Sequence, residues 1–147
     1  MKKLAFILLV ISLNCNGENV IKNNTTYDLN NYISLCLKDM GIDSATIFIN
    51  QNKGLICDKY YALTSRAESI YVITLSDVMT QNEALEIIAH ELIHVKQFYF
   101  KELVIINDYT IQFKGKKYHV TNDSHFDDPQ EKEAIKLGYK LFKKITA

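Results

Sequence analysis

The sequence predicts an α+β fold, on three observations. Apolar residues recur at spacings of three and four over 27–40, over about 81–102 and again from 128 onward, which is the spacing of amphipathic helices. A block of runs rich in Ile, Val, Tyr and Thr separates the first two of these, and a shorter block separates the last two; both read as strands. The expected layout is an N-terminal helix, a small mostly antiparallel sheet, a central helix, a short β-hairpin and a C-terminal helix. A chain of 147 residues, 48% apolar and 11% aromatic, buries one modest core, so a single domain is expected over 27–147.

The first fifteen residues, MKKLAFILLVISLNC, stand outside that domain. Lys2 and Lys3 precede an apolar stretch from Leu4 to Leu13, a basic start and short apolar run of the export-signal kind, too short to span a bilayer. Cys15, followed by the polar NGENVIKNN, looks like a bacterial lipoprotein cleavage site, although Asn14 replaces the small residue preferred before such a cysteine. Lipid attachment at Cys15 and simple cleavage nearby both fit. Residues 16–26 read as a tether, and the expected location is periplasmic or lipid-anchored at a bacterial envelope.

Seventeen basic residues balance seventeen acidic ones, so charge gives no argument for a nucleic-acid partner or for a basic membrane-binding patch. Loss of Lys2 and Lys3 leaves the mature chain mildly acidic. Two cysteines, Cys36 and Cys57, would remain; a disulfide and a pair of buried thiols are both open.

From Tyr27, the residues Leu29, Ile33, Cys36, Leu37 and Met40 form one helical face that stops at Gly41. The runs ATIFIN (45–50), GLICDKYYAL (54–63) and SIYVITLS (69–76) follow as three strands, the first two expected as a hairpin through NQNKG. Helical spacing then holds from about Gln81 to Glu102. LVIINDYTIQFKGKKYHV (103–120) is broken by turn chemistry at ND and KGK. The last helix starts at Asp128, with the only proline, Pro129, in its first turn.

The central helix contains IIAHELIHVKQF, Ile87 to Phe98. At about 100° per residue, Leu85, Ile88, Leu92, Val95 and Tyr99 make a core-facing stripe, and His90, His94 and Gln97 make another. Histidines four apart stand on one helix face, so both imidazoles can converge on one ion. Glu91 lies about a quarter-turn from His90, placed to reach a water beside the metal rather than the metal itself. That is the division of labour in H-E-x-x-H. For Gln97, an exposed polar position and a supporting bond to the site are equally open.

Two histidines leave a zinc site incomplete. Downstream candidates are His119, Asp123, His125, Asp127, Asp128, Glu131 and Glu133. In the last helix Ala134, Ile135, Gly138, Leu141, Phe142 and Ile145 fall within an arc of about 120°. Glu131 sits near the middle of that arc, whereas Glu133 points among Lys136, Lys140 and Lys144. A carboxylate on an apolar face needs a cationic partner. In DPQE, Asp128 to Glu131, the same residue could instead complete a capping box; the apolar arc favours the inward reading.

HELIHVKQ followed by PQEKEA resembles the small bacterial gluzincin-type metallopeptidases, the minigluzincins. The resemblance covers about Glu86 to Leu137 and includes FKGKKY, Phe113 to Tyr118; it departs at Gln130, where such proteins often have Trp, and at Ile135, where relatives have Asp or Asn. It implies one Zn²⁺ per chain held by His90, His94 and Glu131, with Ala134 as the small residue of E-x-x-A and Glu91 as general base. Hydrolysis of a peptide or protein substrate is the implied activity. His125 and Tyr118 rank level as donors to the developing oxyanion, and SIYVITLS resembles the edge strand on which such peptidases lay a substrate. A competing expectation is an exported binding protein with a structural or vestigial zinc site. Glu91 separates the two, since a structural site has no use for it.

Overall fold

The computed structural model describes residues 17–52, 62–120 and 126–147. The export segment with Cys15, most of the 54–63 run with Cys57, Asp123 and the oxyanion candidate His125 lie outside the described residues.

The fold is α+β, with three helices and two small sheets. In chain order the elements are β1 (Val20–Asn23), α1 (Asn30–Asp39), β2 (Thr46–Asn52), β3 (Ala62–Ala67), β4 (Ile70–Ser76), α2 (Gln81–Tyr99), β5 (Leu103–Asn107), β6 (Thr110–Phe113), β7 (Lys116–His119) and α3 (Pro129–Thr146). The larger sheet has the order β1-β2-β4-β3, parallel except for the antiparallel β3–β4 pair.

The sheet is mostly parallel where a mostly antiparallel one is expected, since α1 returns the chain between β1 and β2, and two further expectations are corrected by this order. β2 and β3 do not form a hairpin: β4 lies between them, and the hairpin is β3–β4. The reason is burial. β4 is apolar along nearly its whole length, with Tyr71, Ile73 and Leu75 buried, and an interior position covers such a strand on both edges. β3, in which every residue after Ala62 is partly or fully exposed, takes the edge. The supposed tether over 16–26 also contains a strand, because β1 adds in parallel to β2 from Val20↔Thr46 to Asn23↔Ile49.

One face of the sheet, carrying Ile47, Ile49, Tyr71, Ile73 and Leu75, meets the apolar faces of the helices. α1 ends where expected: Gly41 takes a positive φ of 71°, Gly41 N–H reaches Lys38 O, and Ile42 N–H reaches Leu37 O at 2.9 Å. That reversal is the Schellman closure, and it delivers the buried Ile42 to the core. Cys36 is a buried thiol, pushed up to about 12 by its burial.

α2 begins with a reciprocal cap. Thr80 Oγ1 accepts from Glu83 N–H, and Glu83 Oε2 accepts from Thr80 N–H at 2.7 Å. The helix is buried nearly all round, lying against α3, β3 and β5. The expected hairpin after it gains a third strand: β5, β6 and β7 form an antiparallel meander. At the β6–β7 turn Lys114 and Gly115 both have positive φ, the requirement of a tight two-residue hairpin turn. α3 starts at Asp128 without a side-chain cap bond, so the capping-box reading of Glu131 does not hold.

Candidate metal centre

α2 carries His90 and His94 one turn apart, and α3 presents Glu131 to them. His90 Nε2 and His94 Nε2 are 3.3 Å apart, and the Glu131 oxygens lie 3.4 Å from His90 Nε2 and 3.2 Å from His94 Nε2. His94 and Glu131 are buried and His90 is partly exposed. The three residues could hold a metal ion.

A simple fit test supports this. Two bonds of about 2.0–2.1 Å at the tetrahedral angle separate the donor atoms by about 3.3 Å. The two imidazole nitrogens stand at that spacing, and the Glu131 carboxylate turns one oxygen to each of them, Oε2 to His90 and Oε1 to His94. One ligand atom from each of the three residues lies within 4.8 Å of the others, at the contact of α2 and α3.

The helices come this close because Gly138, two turns after Glu131 on the same face of α3, has no side chain. A Cβ there would sit 2.8 Å from His90 Cα and 3.0 Å from His90 N. Glu131 is thereby turned inward, in agreement with the apolar arc that the sequence predicts. Glu133 differs from expectation: it does not face the lysines of its own helix. It pairs with Lys114 Nζ from the β6–β7 turn and lies 3.4 Å from Gln97 Nε2.

Glu91 is buried, and its Oε2 accepts a hydrogen bond of 2.5 Å from Thr64 Oγ1. Thr64 belongs to β3, the edge strand, and sequence reasoning missed it because the expected strand stopped at Leu63. The only available signal was the strand alternation that points Thr64 to the same side as Ala62. Gln97 is fully buried; it bonds His94 Nδ1 at 2.9 Å and Gln130 O at 3.0 Å, which decides between its two readings.

A cleft of about 340 Å³ opens over the site, walled by Leu63 and Thr64 from β3, by Leu103, Ile105 and Ile111 from the meander, and by Phe126. Tyr118 does not line it. β7 is the outer strand of the meander, and β6 and β5 lie between it and α2. Tyr118 packs instead beneath Lys116 Nζ, and His119 stacks on Tyr109. The strand 70–76 is interior and not the edge expected from the sequence; the sheet edge next to it is β3.

Burial by itself would lower the pKa of His94, but the hydrogen-bonded Glu131, the charge of Glu91 and the Gln97 amide raise it to about 9 in the ion-free site. Below that pH the imidazole holds a proton that a metal must displace. Apparent metal affinity should therefore rise about tenfold per pH unit toward pH 9 and level off above it. Calorimetry at pH 7.5 in buffers of different ionisation enthalpy should report about one proton released per ion. A buffer-independent heat would mean that His94 is already neutral.

Comparison with protein families, with curated proteins and with solved structures finds no match to the chain. The case for function rests on the site itself.

Proposed function

We propose that the chain is a zinc-dependent peptide hydrolase of the gluzincin type, in which His90, His94 and Glu131 hold one zinc ion and Glu91 is the general base. The observation that carries the reading is the combination of two histidines and a carboxylate whose ligand atoms lie within 4.8 Å of one another with a buried carboxylate beside them that is not one of the three donors. A closed structural site needs a fourth protein ligand and no neighbouring base. The ion, when bound, would lower the pKa of a water molecule and polarise the substrate carbonyl.

The protein's own groups do the rest. Thr64 holds Glu91 Oε2, which leaves Oε1 to take the proton from water and to pass it to the departing amine. The cleft beside β3 is open to an extended peptide, which would add to the outer edge of that strand by main-chain hydrogen bonds; among the described residues β3 pairs only with β4. Oxyanion stabilisation is assigned to no described side chain beyond the metal site. The basic and apolar start of the chain supports export to the envelope, by lipid attachment at Cys15 or by simple cleavage nearby. Among the described residues no helix is long and apolar enough to cross a membrane.

Metal analysis of the purified mature chain tests the site. About one zinc per chain is expected for the wild type, with loss of the ion on purification of Glu131→Ala and retention in Glu133→Gln. Unchanged stoichiometry in Glu131→Ala or in His94→Ala would remove the proposed ligand set.

A further inference from the structure

We propose that Gln97 is a positioning residue that fixes the tautomer of His94 and locks it to the helix carrying Glu131; the proposal rests on the metal-site reading above. Gln97 lies three residues after His94 on α2 and has no exposed surface. A buried amide is tolerated only when its hydrogen-bonding groups are matched, so its partners can be counted.

Gln97 Nε2 is 3.0 Å from the backbone oxygen of Gln130 and 3.4 Å from Glu133 Oε1. A carbonyl and a carboxylate only accept, so the NH₂ end of the amide must face them. Turning the amide over would set its oxygen against two acceptors. Gln97 Oε1 therefore faces His94 Nδ1, at 2.9 Å, and an amide oxygen only accepts. Nδ1 must carry the proton. The lone pair of the neutral imidazole is then on Nε2, the atom 3.3 Å from His90 Nε2 and 3.2 Å from Glu131 Oε1.

The same side chain acts on the third ligand. Gln130 directly precedes Glu131, so the bond to its carbonyl pins the first turn of α3 at the register that presents Glu131. Glu133, one turn further on, is held from the other side by Lys114 in the positive-φ turn between β6 and β7. Helix α2, helix α3 and the meander thus meet at one amide. A carboxylate behind the imidazole would raise the basicity of the ligand; the neutral amide orients it without adding charge to the site.

The test uses the full mature chain, ¹⁵N-labelled, with zinc alone as the probe. Wild type should show an exchange-protected imidazole proton on His94 Nδ1, with or without zinc. In Gln97→Met, of similar volume, that proton should lose its protection, and zinc affinity should fall by about 10–100-fold. A Gln97→Met protein with the same protected signal and the same affinity would overturn the proposal. Should Gln97→Met fail to fold, the tautomer of the neutral wild-type imidazole, read on the metal-free chain in alkaline solution, decides: a proton on Nδ1 supports the proposal and a proton on Nε2 alone overturns it. A wild-type chain that takes up no zinc would sink the hydrolase reading separately, and the tautomer in that metal-free chain would still decide this one by the same rule.

Discussion

Replacing Glu91 by Gln should leave zinc and fold in place and lower peptide hydrolysis by about 10²-fold or more. The substitution is nearly isosteric and touches none of the three metal donors. Its side-chain oxygen can still accept from Thr64 Oγ1, the 2.5 Å partner of the native carboxylate, so the buried position keeps a hydrogen bond and the helix keeps its packing. What is lost is the capacity to take up a proton, because an amide is not a base at neutral pH. The measurement is a broad peptide or proteome digest at neutral pH, with metal content determined on the same samples and a chelator as control. Identical cleavage profiles for wild type and Glu91→Gln would end the peptidase reading and favour an exported binding protein in its place. Removing Thr64 should act in the same direction but less strongly, since Glu91 would remain a base that is less well aimed.

The site was legible where one helix encodes it and obscure where two distant segments meet. His90, Glu91 and His94 follow from spacing on α2 alone, and the inward aim of Glu131 follows from the apolar residues around it on α3. The partner of Glu133 could not be read in this way. Lys114 lies 19 residues away in a turn, and no periodicity links a turn residue to a helix face. Thr64 was hidden for a related reason: its approach to Glu91 depends on which strand takes the sheet edge. Chain order suggested a β2–β3 hairpin, and the burial of β4 overrode it. The near-continuous apolar run from Ile70 to Leu75 is the mark of an interior strand, so that mispairing was open to correction from the sequence. β1 was not, because the polar segment around Val20–Asn23 becomes a strand only through the edge that β2 offers it.

Gly138 should be the position outside the donor set where the smallest change does most harm. Helix propensity alone predicts that Gly138→Ala, in the interior of α3, stabilises the protein by about 1 kcal/mol. Packing predicts the opposite. The added Cβ would meet His90 Cα at 2.8 Å and His90 N at 3.0 Å, and both are backbone atoms that cannot swing aside. Either α3 moves outward or α2 bends, and forcing an extra carbon into such a contact typically costs about 1–3 kcal/mol. The steric effect should therefore win, with a net loss of about 0–2 kcal/mol in the metal-free protein. The larger consequence is at the metal. His90 is one of the donors, Glu131 lies two turns up the same face of α3, and their 3.4 Å separation is set by how closely these helices approach. Gly138→Val adds two methyl groups at the contact and should abolish stable zinc binding, while Gly138→Ala should weaken it by about tenfold, equivalent to ~1.4 kcal/mol. Thermal unfolding of the metal-free chains and zinc titration of each variant check the two effects separately. A Gly138→Ala protein that is more stable than wild type and binds zinc equally well would mean that the helices are not held at this separation, and the donor triangle would then owe its spacing to something other than the α2–α3 contact.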